Sequence, residues 1–222
     1  MGRRYTFNKA TVAGKKIELN MIWLSILLVV CYLLGSFPSG VVVAKRFNGA
    51  DLSSSGSGSV GTTNAYRILG LKAALIVLIL DVLKGFLAVC LSYFVLVPDF
   101  LHPLVKLLFG LAAVVGHNWS IFLKFKGGKG VATTCGVFLA LAPQAVGIAA
   151  LLWLGVALLT RWASAASLSA AFAFPCIAYV YGASLFEIIF AIISAAIVIF
   201  QHRPNIERLL AGQEEHIDIK FF

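Results

Sequence analysis

Charge is scarce in this sequence. Only 12% of its 222 residues are charged and nine are acidic, while 60% are hydrophobic; soluble domains carry about 25% charged residues. That shortage excludes an ordinary soluble domain, and a mean hydropathy of +0.96 makes the chain an integral membrane protein. Cysteine is sparse as well. Cys31, Cys90, Cys135 and Cys176 lie singly in apolar runs with no C-x-x-C pairing, so neither a disulfide framework nor a zinc site is supported. A Walker A motif is missing, because neither Ser nor Thr follows Lys129 to bind magnesium and no glycine precedes Gly128 at the required spacing. Nothing calls for a metal, a nucleotide or a nucleic acid.

What is present is a series of apolar runs of membrane length, about 18 residues or more. They predict an all-α integral membrane fold of seven transmembrane helices, one of them short, at residues 22–44, 73–97, 104–123, 131–142, 144–160, 164–181 and 185–201. The run from Val131 to Leu159 would extend about 43 Å as one helix, too long for a hydrocarbon core of about 30 Å. Pro143 divides it. The first span contains "GSFPSG", tolerated where neighbours satisfy the freed backbone groups. Residues 1–20 read as a basic tail, disordered or upstream of a true start at Met21; 21–213 form one transmembrane domain, and 214–222 a C-terminal tail.

Cationic residues should gather on the cytoplasmic face. With the N-terminus outside and the C-terminus cytoplasmic, Lys45, Arg46, Arg67, Lys72, Lys124, Lys126, Lys129, Arg161, Arg203 and Arg208 all fall on one side. Merging the fourth and fifth spans would throw Arg161 outside. The tail breaks the rule, since Arg3, Arg4, Lys9, Lys15 and Lys16 would then be external, and a start at Met21 would remove that conflict.

This topology puts four polar segments on one face: 57–67, 124–130, 161–167 and 202–208. In the first, Gly56, Gly58 and Gly61 allow an anion-binding concavity, with Ser57, Ser59, Thr62, Thr63 and Asn64 as polar partners and Arg67 as a bidentate cation. In the second, Gly127, Gly128 and Gly130 permit close backbone approach, Lys129 offers a point charge, and a helix N-terminus follows. Together these suit a phosphate. The same loop also fits a plain topology determinant and headgroup anchor, a role that suits Lys124 and Lys126 better than Lys129. His202 and Asn205 sit three apart at a helix end with Arg203 between them, placed for anion contact. Inside the second span, Asp81 and Lys84 read as a neutralising i, i+3 pair, and His117 and Asn118 as packing and loop-orienting groups.

The strings "GSFPSG", "GSGSVGTTNAYRILG", "LDVLKG", "GHNWSIF", "FKGGKGVAT" and "HRPNIERLL", in that order over residues 22–213, resemble the acyl-phosphate-dependent glycerol 3-phosphate acyltransferases of bacterial membranes. The resemblance implies acyl transfer from acyl phosphate to the 1-hydroxyl of glycerol 3-phosphate, giving lysophosphatidic acid and phosphate at the cytosolic face of the inner membrane. It carries Arg67, Lys129, His202 and Asn205 over as catalytic groups. It carries Ser57 and Asn64 as substrate contacts, with Thr63 and Ser164 or Ser167 beside them. The chain departs from the family pattern at Ser59 (usually Asn), Ser120 (usually Pro) and Pro204 (usually Glu). Pro204 bears on the helix geometry around His202 and Asn205, because proline lacks an N–H.

An acyl phosphate is a mixed anhydride with a good leaving group, so the protein must hold two anions together and aim a hydroxyl at a carbonyl. The proton can go to His202 or to the substrate phosphate, whose second pKa is near 6; the substrate-assisted route is preferred. The His-x-x-x-x-Asp pattern of thioester-dependent acyltransferases is not obeyed by any histidine here. The runner-up reading is a transporter or channel for an anionic solute, which would show internal repeats that this sequence lacks. The oligomeric state is left open and is compatible with a monomer.

Overall fold

The computed structural model describes residues 21–47, 49 and 51–217. The basic tail expected at 1–20 lies outside the described residues. Among these, all regular structure is helical: α1 (residues 21–36), α2 (Ser39–Phe47), α3 (Thr62–Leu69), α4 (Leu71–Leu91), α5 (His102–Asn118), α6 (Val131–Leu141), α7 (Pro143–Thr160), α8 (Ala163–Val180), α9 (Leu185–Gln201) and α10 (Arg203–Leu210). Five stretches are long and apolar enough to cross a membrane: Met21–Phe47, Leu71–Phe94, Asp99–Leu123, Pro143–Thr160 and Ala163–Val180. The pair α9 and α10 makes a sixth if counted together across its 60° bend, and α6 is shorter. The protein is therefore an all-helical membrane bundle of five to six such spans plus one short apolar helix.

The division at Pro143 matches expectation, since Pro143 opens α7 in the first turn, where its missing N–H costs no hydrogen bond. Several boundaries differ. The α-helix of the second span ends at Leu91 rather than Val97, with Ser92–Phe94 as a 3-10 turn. The first span is not one helix: it breaks at Phe37–Pro38, and the freed groups are claimed by neighbours. Lys84 Nζ donates to the Phe37 carbonyl at 3.3 Å and Ser120 Oγ to the Ser36 carbonyl at 2.6 Å. The third span ends its α-helix at Asn118 rather than Leu123, with Ile121–Leu123 as a short 3-10 turn. The expected tail beyond residue 213 is docked through residues 214–217: the Ile217 N–H donates to the Arg161 carbonyl at 2.7 Å, and His216 stacks on Trp162 at 5.4 Å.

Small residues let the helices approach. A Cβ on Gly85 would strike the Thr133 carbonyl and one on Gly136 the Val82 carbonyl, so α4 and α6 pack backbone to backbone. In lipid such close packing replaces the hydrophobic drive that water supplies to soluble bundles. The buried cluster of Val89, Leu107, Val114, Val137, Phe138 and Phe190 fills the centre. Residues such as Leu151, Leu159, Phe172 and Leu185 stay exposed, as lipid-facing side chains do.

Candidate active site

Two cavities meet at one lysine. The larger, about 440 Å³, runs from the polar loops down between α6, α7, α8 and α9. The smaller, about 240 Å³, is a polar recess between the 57–59 and 125–129 loops, and it shares Ser57, Ser59 and Lys129 with the first.

Lys129 Nζ donates to Asn205 Oδ1 at 2.6 Å, Asn205 Nδ2 donates to Glu214 Oε1 at 2.7 Å, and Arg208 Nε donates to Glu214 Oε2 at 2.7 Å. Burial pushes the Lys129 ammonium down to about 8; Arg208 and Arg67 act in the same direction and Glu214 against it. Burial also opposes ionisation of Glu214, but the hydroxyl of Ser164 and the bonds from Asn205 and Arg208 hold its carboxyl below the usual range. Arg67 pairs with Glu215 at 3.1 Å and donates to the Glu215 carbonyl at 2.9 Å. Among the described residues, Arg67 Nε and the hydroxyls of Thr62 and Thr134 are buried without a hydrogen-bond partner, and all three residues line the large cavity.

Gly130 adopts φ 83° and opens α6, whose first residues Val131 and Ala132 line the same space. The orphan N–H groups of a helix start favour an anion there. His202, just beyond the last turn of α9, sits 2.7 Å from the Val198 carbonyl through Nδ1. A carbonyl only accepts, so that nitrogen carries the proton and Nε2 holds the lone pair. Burial, and then Lys129, press the His202 pKa down to about 4.

The structure gathers Ser57, Thr63, Asn64, Arg67, Lys129, Gly130, Ser164, Ser167, His202 and Asn205 around the large cavity. Four residues expected as substrate contacts have polar or ring contacts within the protein itself. Asn64 is spent on its own loop: Nδ2 donates to the carbonyls of Leu52, Ser55 and Ser59, while Oδ1 accepts from the Ser57 N–H at 3.0 Å. It shapes the loop. Gly127 and Gly128 donate their N–H groups to the Asn118 and His117 carbonyls, both at 3.0 Å, and a Cβ on either would collide with α5. Their close approach is to a helix end, and they line only the smaller recess. Arg203 is exposed, lies over the Phe200 ring at 5.8 Å and lines neither cavity.

Ser167 faces the cavity with its hydroxyl already used, donating to Ala163 at 2.8 Å and accepting from Trp153 Nε1 at 3.0 Å. Pro204 occupies the first turn of α10, where the missing N–H is harmless, and so fixes the bend that delivers Asn205 inward. The intramembrane pair is larger than expected. Asp81 accepts from Ser39, meets Lys84 at 2.9 Å and His117 at 3.6 Å, and Asp81 and His117 border the cavity.

Sequence reasoning missed Glu214 and Thr134. The only available signal for Glu214 was an acidic residue in a chain with nine of them.

The apolar arm of the cavity is lined from α6 by Phe138, from α7 by Val146, Ala150 and Trp153, from α8 by Phe174 and from α9 by Ala191. Phe138 lines this arm with its ring 4.5 Å from Phe174 and 5.3 Å from Phe190.

Residues 25–212 match the family model described as glycerol-3-phosphate acyltransferase. "Glycerol-3-phosphate acyltransferase 2" of Moorella thermoacetica is 45% identical over 196 residues, 88% of this chain and 98% of the relative. The glycerol-3-phosphate acyltransferase of Fusobacterium nucleatum is 42% identical over 84% of this chain and 94% of its own. Two crystal structures of PlsY (YgiH), an integral membrane glycerol 3-phosphate acyltransferase, superpose on the fold. Its glycerol 3-phosphate form gives TM-score 0.80 at 40% identity and its lysophosphatidic acid form 0.78 at 39%, each covering 87% of this chain and 95% of the other.

Proposed function

The chain belongs to the glycerol-3-phosphate acyltransferase family, and from that premise we propose that it transfers a fatty acyl group from acyl phosphate to the 1-hydroxyl of glycerol 3-phosphate. The products are 1-acyl-glycerol 3-phosphate and inorganic phosphate. The observation that carries this reading is the placement of Arg67 and Lys129 at the mouth of an apolar arm: cations for two phosphates beside a slot for one acyl chain.

In this reading the acyl chain lies between α6, α7, α8 and α9, and its carbonyl reaches the polar mouth. The orphan N–H groups of α6, together with Lys129 and Arg67, offset the repulsion between the two phosphates. The glycerol hydroxyl attacks the acyl carbon, a C–O bond forms, the bond from that carbon to the phosphate oxygen breaks, and the phosphate leaves with the electron pair. The hydroxyl proton goes to a substrate phosphate. With a pKa of about 4, His202 is a weaker base than a phosphate monoester, whose second pKa is near 6. His202 then accepts a hydrogen bond through Nε2 and orients the hydroxyl.

The same reading takes the crossings as seven, α6 included, with the N-terminus outside and the site on the cytosolic face of a bacterial inner membrane. Its support is the one-sided distribution of Lys and Arg. One chain supplies every group named, so a monomer suffices.

The test is incubation of purified protein in detergent with palmitoyl phosphate and labelled glycerol 3-phosphate. Labelled lysolipid, with no second compartment and no thioester donor, is the expected result. Flux of label into vesicles without any lysolipid would replace this reading with transport.

A further inference from the structure

We propose that Glu214 is a positioning residue of the transfer reaction: it sets the orientation of the Asn205 amide, and through that amide the place of the Lys129 ammonium. The inference rests on the reading that Lys129 meets a substrate phosphate.

Asn205 lies between two groups that can each make only one kind of hydrogen bond. A lysine ammonium only donates and a carboxylate only accepts. With Lys129 Nζ at 2.6 Å on one side and Glu214 Oε1 at 2.7 Å on the other, the amide has one acceptable orientation, Oδ1 toward Lys129 and NH2 toward Glu214. Remove the carboxylate charge and one of the two constraints goes, because a neutral amide in its place can donate or accept, and Lys129 alone is left to orient Asn205. The Glu214 side chain is 3% exposed, so water does not substitute for it at low cost.

The carboxylate is itself held from several directions. Arg208 of α10 grips its second oxygen at 2.7 Å. On either side the chain is tied to other elements, through Glu215 to Arg67 of α3 and through Ile217 to Arg161 at the α7 to α8 turn. The segment 214–217 thus joins α3, the α7 to α8 turn and α10, and its one buried carboxylate points at the amide that holds the substrate-facing lysine.

Charge gives a readout that a mere staple would not move. Lys129 faces Asn205 and Arg208 from α10, His202 from the α9 to α10 bend, Arg67 from α3 and Glu214 from the C-terminal segment. After burial, which lowers the Lys129 pKa, Glu214 favours the charged ammonium and Arg208 and Arg67 disfavour it. Substituting Glu214 and Arg208 should therefore move the titration of Lys129 in opposite directions.

The experiment measures kcat/KM for glycerol 3-phosphate against pH, with palmitoyl phosphate saturating, on the purified full chain and on Glu214→Gln, Glu214→Asp and Arg208→Gln, with melting temperatures alongside. For Glu214→Gln the expected result is a KM raised about tenfold with a smaller change in kcat. Its alkaline limb should also move toward acid by about one pH unit. Glu214→Asp keeps the limb near the wild-type position, and Arg208→Gln moves it alkaline. A limb that Glu214→Gln leaves in place while the protein still folds overturns the proposal, as does movement in one direction by both variants. Should Glu214→Gln fail to fold, Glu214→Asp decides: the shorter carboxylate keeps the charge but not its reach to Asn205, so a raised KM is expected, and a wild-type KM overturns the proposal. A wild-type profile with no alkaline limb would overturn the Lys129 reading and this proposal with it, and is distinguishable because every variant would then share it.

Discussion

At the scale of single residues, the site depends on which polar groups are already committed to the protein and which are left for substrate. Lys129 uses one of its three N–H groups on Asn205, and the proposed reaction gives the rest to a phosphate. Burial lowers its pKa to about 8, so below that pH the ammonium is charged and binds an anion, and above it the charge is lost. The expected profile of kcat/KM for glycerol 3-phosphate rises as the substrate phosphate ionises near pH 6 and falls through about pH 8. The alkaline fall in kcat should lie higher, because a bound phosphate favours the ammonium. Lys129→Gln removes that charge from a half-buried site and should cost about two to three orders of magnitude in kcat/KM. His202→Gln is a different case. If the residue orients the hydroxyl without taking its proton, the loss stays near tenfold, below the range of about a hundredfold or more expected on removing a general base. Arg203→Ala, in an exposed side chain over Phe200, should change rate by about twofold or less.

At the scale of elements, the loop before α3 and the break after α1 are built from the same economy of backbone groups. Asn64 donates to three carbonyls, so the nearly isosteric Asn64→Asp turns those three attractions into repulsions. It should cost at least about 3 kcal/mol, seen as a lowered melting temperature with activity lost in parallel. Periodicity and proline placement made several boundaries legible in sequence: Pro143 splits α6 from α7, and the glycines of 127–130 mark a loop opening a helix. They could not show where the freed groups go. The "GSFPSG" string reads as tolerated within a span. Its break is stable because Lys84, 47 residues on, and Ser120, 84 residues on, reach its carbonyls. Asn64, Gly127 and Gly128 were legible as polar or close-approach positions, but whether they face substrate or the protein's own backbone depends on long-range packing. Glu214 carried no local pattern at all, since its role arises only once the segment after α10 folds back. The apolar arm was equally hidden, because it is assembled from single faces of separate helices. Phe138 is the bulky side chain α6 puts into that arm, and Phe138→Ala, by enlarging it, should shift the preference among acyl phosphates toward longer chains, measured as ratios of kcat/KM across a chain-length series.

At the scale of the whole molecule, one physical constraint orders the rest: charges that must meet phosphate have to lie where water can reach one side of them and lipid the other. Arg67, Lys129 and Arg208 meet around one end of the helices, tied by Glu214 and Glu215, while the apolar arm includes Phe138 and Phe174. Acyl phosphate fits this division because its own polarity is split in the same way. If the charged end is cytosolic, single cysteines introduced at Lys72, Lys124 and Arg208 should resist a membrane-impermeant thiol reagent in intact cells and react after permeabilisation. Cysteines at Asp99 and Ala183 should react from outside. The two sets test the count as well as the orientation, because α6 lies between 124 and 183. An α6 that enters and leaves on the same face would move the α7 to α8 turn with Arg161, and α10 with it, across the membrane and away from Lys129, whose ammonium is bonded to Asn205 of α10 at 2.6 Å. Protection of a cysteine at 124 together with one at Arg161 is therefore the labelling pattern that the folded site requires.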